Sequence, residues 1–238
     1  MSQIFDEVMM KYYIEVTLIE NPELVAYQLW SKLYTQLHIA LAEVKDTNDK
    51  VNIGVSFPQY RFNQEKSIGF LGTKLRVFAQ NEADLKKLDL KKWLDRLTDY
   101  VHITSIREVP ENIKSYAIYK RKQVKTNAER LARHRVKRGD IGFDEALAHY
   151  SNVITTTDLP YIQMLSLSTS DEQDKKRFKL FIEKRSIGQS ESQVFSTYGL
   201  SSQSSVPEFY PNIFSFFNSL IKSMSYKGGL KLGSFIDF

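Results

Sequence analysis

Two groups of residues in this chain have the chemistry to act on a ligand, and they lie far apart in the sequence. The first is His38, in YTQLHIALAEV, flanked by Leu37, Ile39, Ala40 and Leu41. An imidazole exchanges protons near neutral pH and can serve as a general base. A lone histidine beside an apolar face is more often a packed, hydrogen-bonded core residue, so His38 by itself leaves both readings open. His102 and His149 have less to recommend them. The second group is the run Lys114–Arg138, KSYAIYKRKQVKTNAERLARHRVKR, with ten Lys or Arg against the single Glu129, a net +9. The whole chain carries only +5, so everything outside the run sums to −4. Basicity this local is the footprint of a polyanion site rather than a solubility device.

Within the run, Thr126 and Glu129 have the spacing of a capping box, which would start a helix at Asn127. On that helix Arg130, Arg133, His134, Lys137 and Arg138 fall on one face. A solvated charged helix interleaves Glu and Lys at i,i+4. Here only Glu129 is available, and the cap uses it, so nucleic acid is favoured over a solvated face or an acidic protein partner. Just upstream, Tyr116–Val124 reads as extended, which points Arg121 and Gln123 the same way. Arginine and glutamine are the side chains that bond purine edges in bidentate fashion. An ordinary polar strand face is the bland alternative, but this pair leads straight into the cationic helix.

Other chemistries are absent. There is no cysteine, which excludes disulfides, thiol nucleophiles and zinc ribbons and suits a reducing cytoplasm. No Walker motif, paired-glycine dinucleotide loop or H-E-x-x-H occurs, and no close acidic pair suggests a two-metal nuclease. Cleavage of nucleic acid, if any, is expected to need no metal and no cofactor. No apolar run of membrane-spanning length appears, and Met1–Lys11, with Asp6 and Glu7, does not read as a signal peptide. The 13 Tyr and 15 Phe are plentiful stacking surfaces, though most aromatics are core.

The elements that must position these residues fall into an α+β pattern. Strands are expected over Tyr12–Ile19, Val51–Phe57, Thr73–Ala79 and Val101–Val109. A helix from Pro22 to about Val44 carries His38, and a second starts at Asn81 with Leu85, Leu88, Leu90, Trp93, Leu94 and Leu97 as its apolar positions. The order β-α-β-β-α-β is the ferredoxin-like arrangement, a fold that hosts many functions. Further on come a short helix over Phe143–Tyr150 and strands over Tyr161–Thr169, Arg177–Arg185 and Val194–Tyr198, with a polar turn at 170–176 and a serine-rich loop up to Pro207. Ser166 and Ser168 share one face of their strand.

Six stretches now stand in order: L-H-I-A-L at Leu37–Leu41, N-I-G-V-S-F-P at Asn52–Pro58, R-K-Q-V-K-T-N-A-E-R-L at Arg121–Leu131, S-L-S-T at Ser166–Thr169, R-F-K-L-F-I at Arg177–Ile182 and S-T-Y-G-L-S at Ser196–Ser201. Together they resemble the repeat-processing endoribonuclease family of type I-F CRISPR systems, over Tyr12–Phe209, 198 of the 238 residues. The resemblance implies a ferredoxin-like domain at 1–110, a hairpin-binding domain with an arginine-rich helix and a small antiparallel sheet at 111–209, and an extension of unknown role at 210–238. It implies cleavage of a repeat transcript at the 3′ base of a hairpin, with the protein staying on the product as a subunit of a crRNA-guided surveillance complex. By the same resemblance His38 matches the catalytic histidine, Ser166 the serine holding the ribose, with Ser168 a close rival, and Tyr198 the tyrosine near that site. Arg121 and Gln123 match the base readers, Phe178 the ring under the terminal base pair, and Arg133, His134, Lys137 and Arg138 the phosphate-binding helix; Lys125 and Arg130, basic residues of the same run, are expected to bind RNA beside them. At His134 and Lys137 the chain departs from the family's preference for arginine.

Two rivals share these residues. A non-catalytic hairpin-binding subunit of a CRISPR effector assembly needs the same basic helix, and a duplex-DNA regulator would want a helix-turn-helix and dimer signals that the sequence lacks.

Overall fold

In a computed structural model of the chain, the described residues are 9–22, 24–111, 113–124, 128–139, 141–152, 157–166 and 177–209. The chain divides into two units, Met1–Glu208 and Phe209–Phe238, and all elements below belong to the first.

The amino-terminal portion is built on an antiparallel sheet. Its elements are β1 (Tyr12–Leu18), α1 (Ala26–Glu43), β2 (Lys50–Val51), β3 (Ile53–Ser56), β4 (Arg61–Asn63), β5 (Ile68–Phe70), β6 (Lys74–Ala79), α2 (Glu82–Leu88), α3 (Leu90–Trp93), β7 (Val101–Ile103) and β8 (Arg107–Glu108). The strands run β3-β6-β1-β7, and β8 also pairs with β1. Burial of Leu29, Trp30, Leu33, Tyr34, Leu37, Ala40 and Leu41 gives α1 one apolar stripe, the 3.6-residue period of the sequence. The Trp30 indole N–H donates to the Gly72 carbonyl at 2.9 Å, which ties the helix to the approach to β6.

Several expected boundaries move. α1 starts at Ala26 rather than in the turn at Pro22; Val25 and Tyr27 are exposed, so packing holds no earlier turn. The strand expected over Val51–Phe57 divides at Asn52, because β2 leaves to pair with a later strand while β3 stays in the main sheet. The helix expected from Asn81 breaks at Asp89, which takes the left-handed conformation (φ 44°) between α2 and α3. The fourth strand is interrupted. Between Ile103 opposite Val16 and Arg107 opposite Tyr13 it spends one residue more than its partner, a bulge at which Thr104 Oγ1 accepts from Glu15 N–H at 3.0 Å.

The carboxy-terminal portion contributes β9 (Ser115–Lys122), α4 (Ala128–Val136), α5 (Phe143–Ser151), β10 (Tyr161–Leu165), β11 (Arg177–Ile187), β12 (Phe195–Ser196) and β13 (Val206–Glu208). A second antiparallel sheet runs β10-β11-β9-β13, and β12 pairs with β2. Helices beside antiparallel sheets make the fold α+β. One face of the second sheet buries Ala117, Tyr119, Ile162, Met164, Leu180, Ile182 and Val206. It meets the first portion where Ser31 Oγ of α1 donates to the Gln163 carbonyl at 2.6 Å and Tyr119 Oη to the Phe57 carbonyl at 3.2 Å.

The serine-rich loop is tied down by its own hydroxyls. Ser204 and Ser205 are each 1% exposed, and their hydroxyls accept from the backbone N–H groups of Val194 and Ser190, both at 2.9 Å. The expected strand over Val194–Tyr198 is only two residues long and ends in a turn. The reasons are local: Gly199 has φ +69° and its N–H donates back to the Ser196 carbonyl at 2.7 Å. The expected polar turn at 170–176 and the extension at 210–238 lie outside the described residues.

Candidate active site and nucleic-acid surface

His38 leaves α1 one turn after Tyr34 and is half-buried. Its Nδ1 lies 2.9 Å from the Thr197 carbonyl oxygen. A carbonyl only accepts, so this bond requires the proton on Nδ1 and leaves the lone pair on Nε2. The imidazole is thereby fixed in the tautomer that can receive a proton. Burial lowers its pKa below the ordinary histidine value; the Thr197 bond works against this and the Arg121 charge adds to it. The ring is therefore neutral at neutral pH.

Tyr198 stacks on this imidazole, with centroids 4.1 Å apart and planes 8° from parallel. The turn that carries it is fastened on three sides. Tyr34 Oη donates to the Tyr198 carbonyl at 2.8 Å, Val55 N–H to the Gly199 carbonyl at 3.0 Å, and Ser201 N–H to the Tyr119 carbonyl at 3.0 Å. α1, β3 and β9 thus all hold one short turn.

Arg121, at the end of β9, reaches the same place. Its guanidinium carbon lies 5.6 Å from the Tyr198 ring centroid and 5.3 Å from that of Phe178. The register explains why. Arg121 is opposite Ile182, and Phe178, two pleats along β11, is opposite Met164, so all four share a face of the second sheet. Where this face leaves the core, Phe178 is half-buried and Arg121 exposed. Ser166, half-buried and two residues beyond Met164, follows on that alternation.

His38, Tyr198, Arg121 and Phe178 are therefore one cluster, and Ser166 stands at the end of a strand on the same sheet face. Gln123 is exposed just past β9. Arg130, Arg133, His134, Lys137 and Arg138 are exposed along and just after α4, whose buried Ala128 and Ala132 sit on its other side. Glu129 does not leave the whole cationic face unmatched: its carboxylate accepts from Arg133 Nη2 at 2.9 Å, in an exposed pair one turn apart. Lys125 and Ser168, the capping-box residue Thr126 and the expected helix start Asn127 lie outside the described residues.

Two participants escape a sequence reading of the site. Thr197 acts through its carbonyl, which any residue type supplies, so its identity carries no signal. Tyr34 had one, since it lies four residues before His38 and shares its helix face. Among the described residues no group of three or more His, Asp or Glu is gathered to hold a metal ion, and no helix is long and apolar enough to cross a membrane.

Two antiparallel sheets, a basic helix and a stacked histidine–tyrosine pair define an α+β protein that carries a composite site and a cationic helix face. Residues 13–209 match the family described as CRISPR-associated protein (Cas_Csy4), and the chain belongs to that family. It is 34% identical over 202 residues to a CRISPR-associated endonuclease Cas6/Csy4 of Pseudomonas aeruginosa and 32% identical over 202 residues to one of Escherichia coli. Each match covers 84% of this chain and the whole length of the relative.

Proposed function

We propose that this chain is a metal-independent endoribonuclease that binds a CRISPR repeat hairpin and cuts the transcript at the 3′ base of the stem. The observation that carries the reading is the His38 tautomer: Nδ1 bound to the Thr197 carbonyl, Nε2 able to take a proton, and Tyr198 stacked alongside. The names of both relatives support nuclease activity. His38 Nε2 takes the proton of the 2′-OH beside the scissile phosphate, and that oxygen attacks phosphorus in line. The 5′ oxygen leaves on the opposite side of phosphorus and takes its proton from water, and the imidazolium gives its proton back to solvent. The products are a 2′,3′-cyclic phosphate and a free 5′-OH.

Ser166 orients the ribose hydroxyl, with Ser168 its rival for that role. Phe178 seats the last base pair of the stem, and Arg121 and Gln123 read base edges in its groove. Lys125, Arg130, Arg133, His134, Lys137 and Arg138 hold phosphates. The strand order β3-β6-β1-β7 supports the ferredoxin-like assignment of residues 1–110, and the separate sheet β10-β11-β9-β13 supports a hairpin-binding portion at 111–209. The protein works in the cytoplasm, keeps its product and joins a type I-F surveillance complex.

Incubation of the full chain with a synthetic repeat hairpin in EDTA tests this. The expected product ends in a 2′,3′-cyclic phosphate, and a single 2′-deoxy substitution at the cut site stops the reaction. Tight binding of the ribose hairpin with no cut would leave only the non-catalytic subunit.

A further inference from the structure

The geometry points to Arg121 as a positioning residue for His38, acting through the Tyr198 ring, in addition to any contact it makes with a base. This rests on the reading of His38 as the general base.

The arrangement is layered. The Arg121 guanidinium lies against the rings of Tyr198 and Phe178, at 5.6 and 5.3 Å, and Tyr198 is itself stacked on the imidazole at 4.1 Å. Tyr198 has its backbone carbonyl held by Tyr34 Oη at 2.8 Å, which fixes where its side chain starts. Among the described residues, the groups that bear on His38 are the Thr197 carbonyl and the Tyr198 ring from the turn and the Arg121 charge from β9. Of these only Arg121 is charged at neutral pH. Its positive charge disfavours a second one on the imidazole, which keeps the base in its working form.

A guanidinium stacked by its face keeps its N–H donors in the plane, free at the edge. Arg121, exposed and with its guanidinium carbon 5.3 and 5.6 Å from the two ring centroids, can still offer its N–H donors to the O6 and N7 of a guanine. Reading the correct base then fixes the arginine, the arginine fixes Tyr198, and Tyr198 fixes the imidazole. Base identity is felt in the rate of the chemical step as well as in affinity.

The test uses the full chain and compares Arg121→Gln, which loses charge and fork, with Arg121→Lys, which keeps the charge. The His38 Cε1–H resonance, assigned by its loss in His38→Asn, is titrated by NMR. Its midpoint is expected to rise in R121Q and to stay near wild type in R121K. Single-turnover cleavage at saturating hairpin should be slowed in R121Q more at pH 6 than at pH 8, because a raised His38 pKa leaves less neutral imidazole at the lower pH. If the arginine acts through the ring, R121Q combined with Tyr198→Ala costs less than the product of the two single losses. An R121Q variant that binds weakly but cleaves at saturation with the wild-type rate and pH profile, its His38 resonance unmoved, overturns the role. An inactive wild-type chain removes the base reading and this inference with it, whereas an unmoved resonance in an active R121Q removes only the inference.

Discussion

The rings of His38 and Tyr198 lie face to face, 4.1 Å apart and 8° from parallel, although 160 positions separate them in the chain. A stack fixes the plane of the imidazole, and the bond from Nδ1 to the Thr197 carbonyl fixes its rotation in that plane. Removing the imidazole should abolish proton transfer without touching the cationic surface. His38→Ala is expected to cut single-turnover cleavage by about 10²–10⁴, the usual share of a general base. Hairpin affinity, measured by filter binding, should stay within a few-fold of wild type. Cleavage that survives intact would reject His38 as the base.

The pH profile has a definite sign. Burial, helped by Arg121, holds the His38 pKa below the ordinary histidine value against the opposing Thr197 bond. The working neutral form therefore persists to lower pH than for a free imidazole. The rate at saturating hairpin should be flat through neutrality and fall only as pH drops through this lowered value. Stability moves the same way. Between the folded and unfolded pKa values the unfolded chain binds more protons, so the contribution of His38 is present above the unfolded value, about 6.5, and lost as pH falls through the folded one. A rate profile whose acid limb has its midpoint above that of free histidine would contradict this.

The sequence made some of this legible and hid the rest for physical reasons. The stripe from Leu29 to Leu41 announced α1, and with it the position of His38, because helical burial leaves a 3.6-residue period. The alternation in β11 likewise announced that Phe178, Leu180 and Ile182 share a face. By contrast, the split of one expected strand into β2 and β3 is decided by Phe195, a partner some 140 positions away, so nothing local marks it. The buried pair of Arg76, 1% exposed, and Glu15, 2.7 Å apart across β1 and β6, looks in sequence like two surface charges. Spacing assigns Glu129 to a cap on Thr126, which lies outside the described residues; the pair its carboxylate makes with Arg133 follows from the same one-turn spacing, which the cap reading passes over.

The turn that presents Tyr198 depends on Gly199. Its φ of +69° is a left-handed value that suits glycine, and a Cβ there would come 2.6 Å from Val55 Cγ1. Gly199→Ala therefore meets both backbone strain and β3. It should lower stability by about 1–3 kcal/mol, read by thermal melting. Because the turn also carries the Thr197 acceptor, cleavage should fall more steeply than the melting temperature predicts. Tyr34→Phe is the milder companion: it removes only the bond to the Tyr198 carbonyl and should cost about 1 kcal/mol. Wild-type melting and cleavage in G199A would mean that the turn does not hold the site.

The exposed charges on α4 make a prediction with two opposite signs. Lys137 and Arg138 are exposed beyond the helix end, and replacing both by Gln should leave stability within about 0.5 kcal/mol. If they hold phosphates, hairpin affinity falls and the slope of log K against log salt flattens by about 1 to 2. Glu129→Gln should do the reverse. It removes a negative charge from the cationic face and releases Arg133 from a pair that, being 67% and 62% exposed, contributes little to folding. Affinity should then rise a few-fold at low salt, with the gain fading as salt screens it. An unchanged slope in the double variant, together with no gain in E129Q, would mean that the RNA lies elsewhere and that the face of α4 is simply solvated.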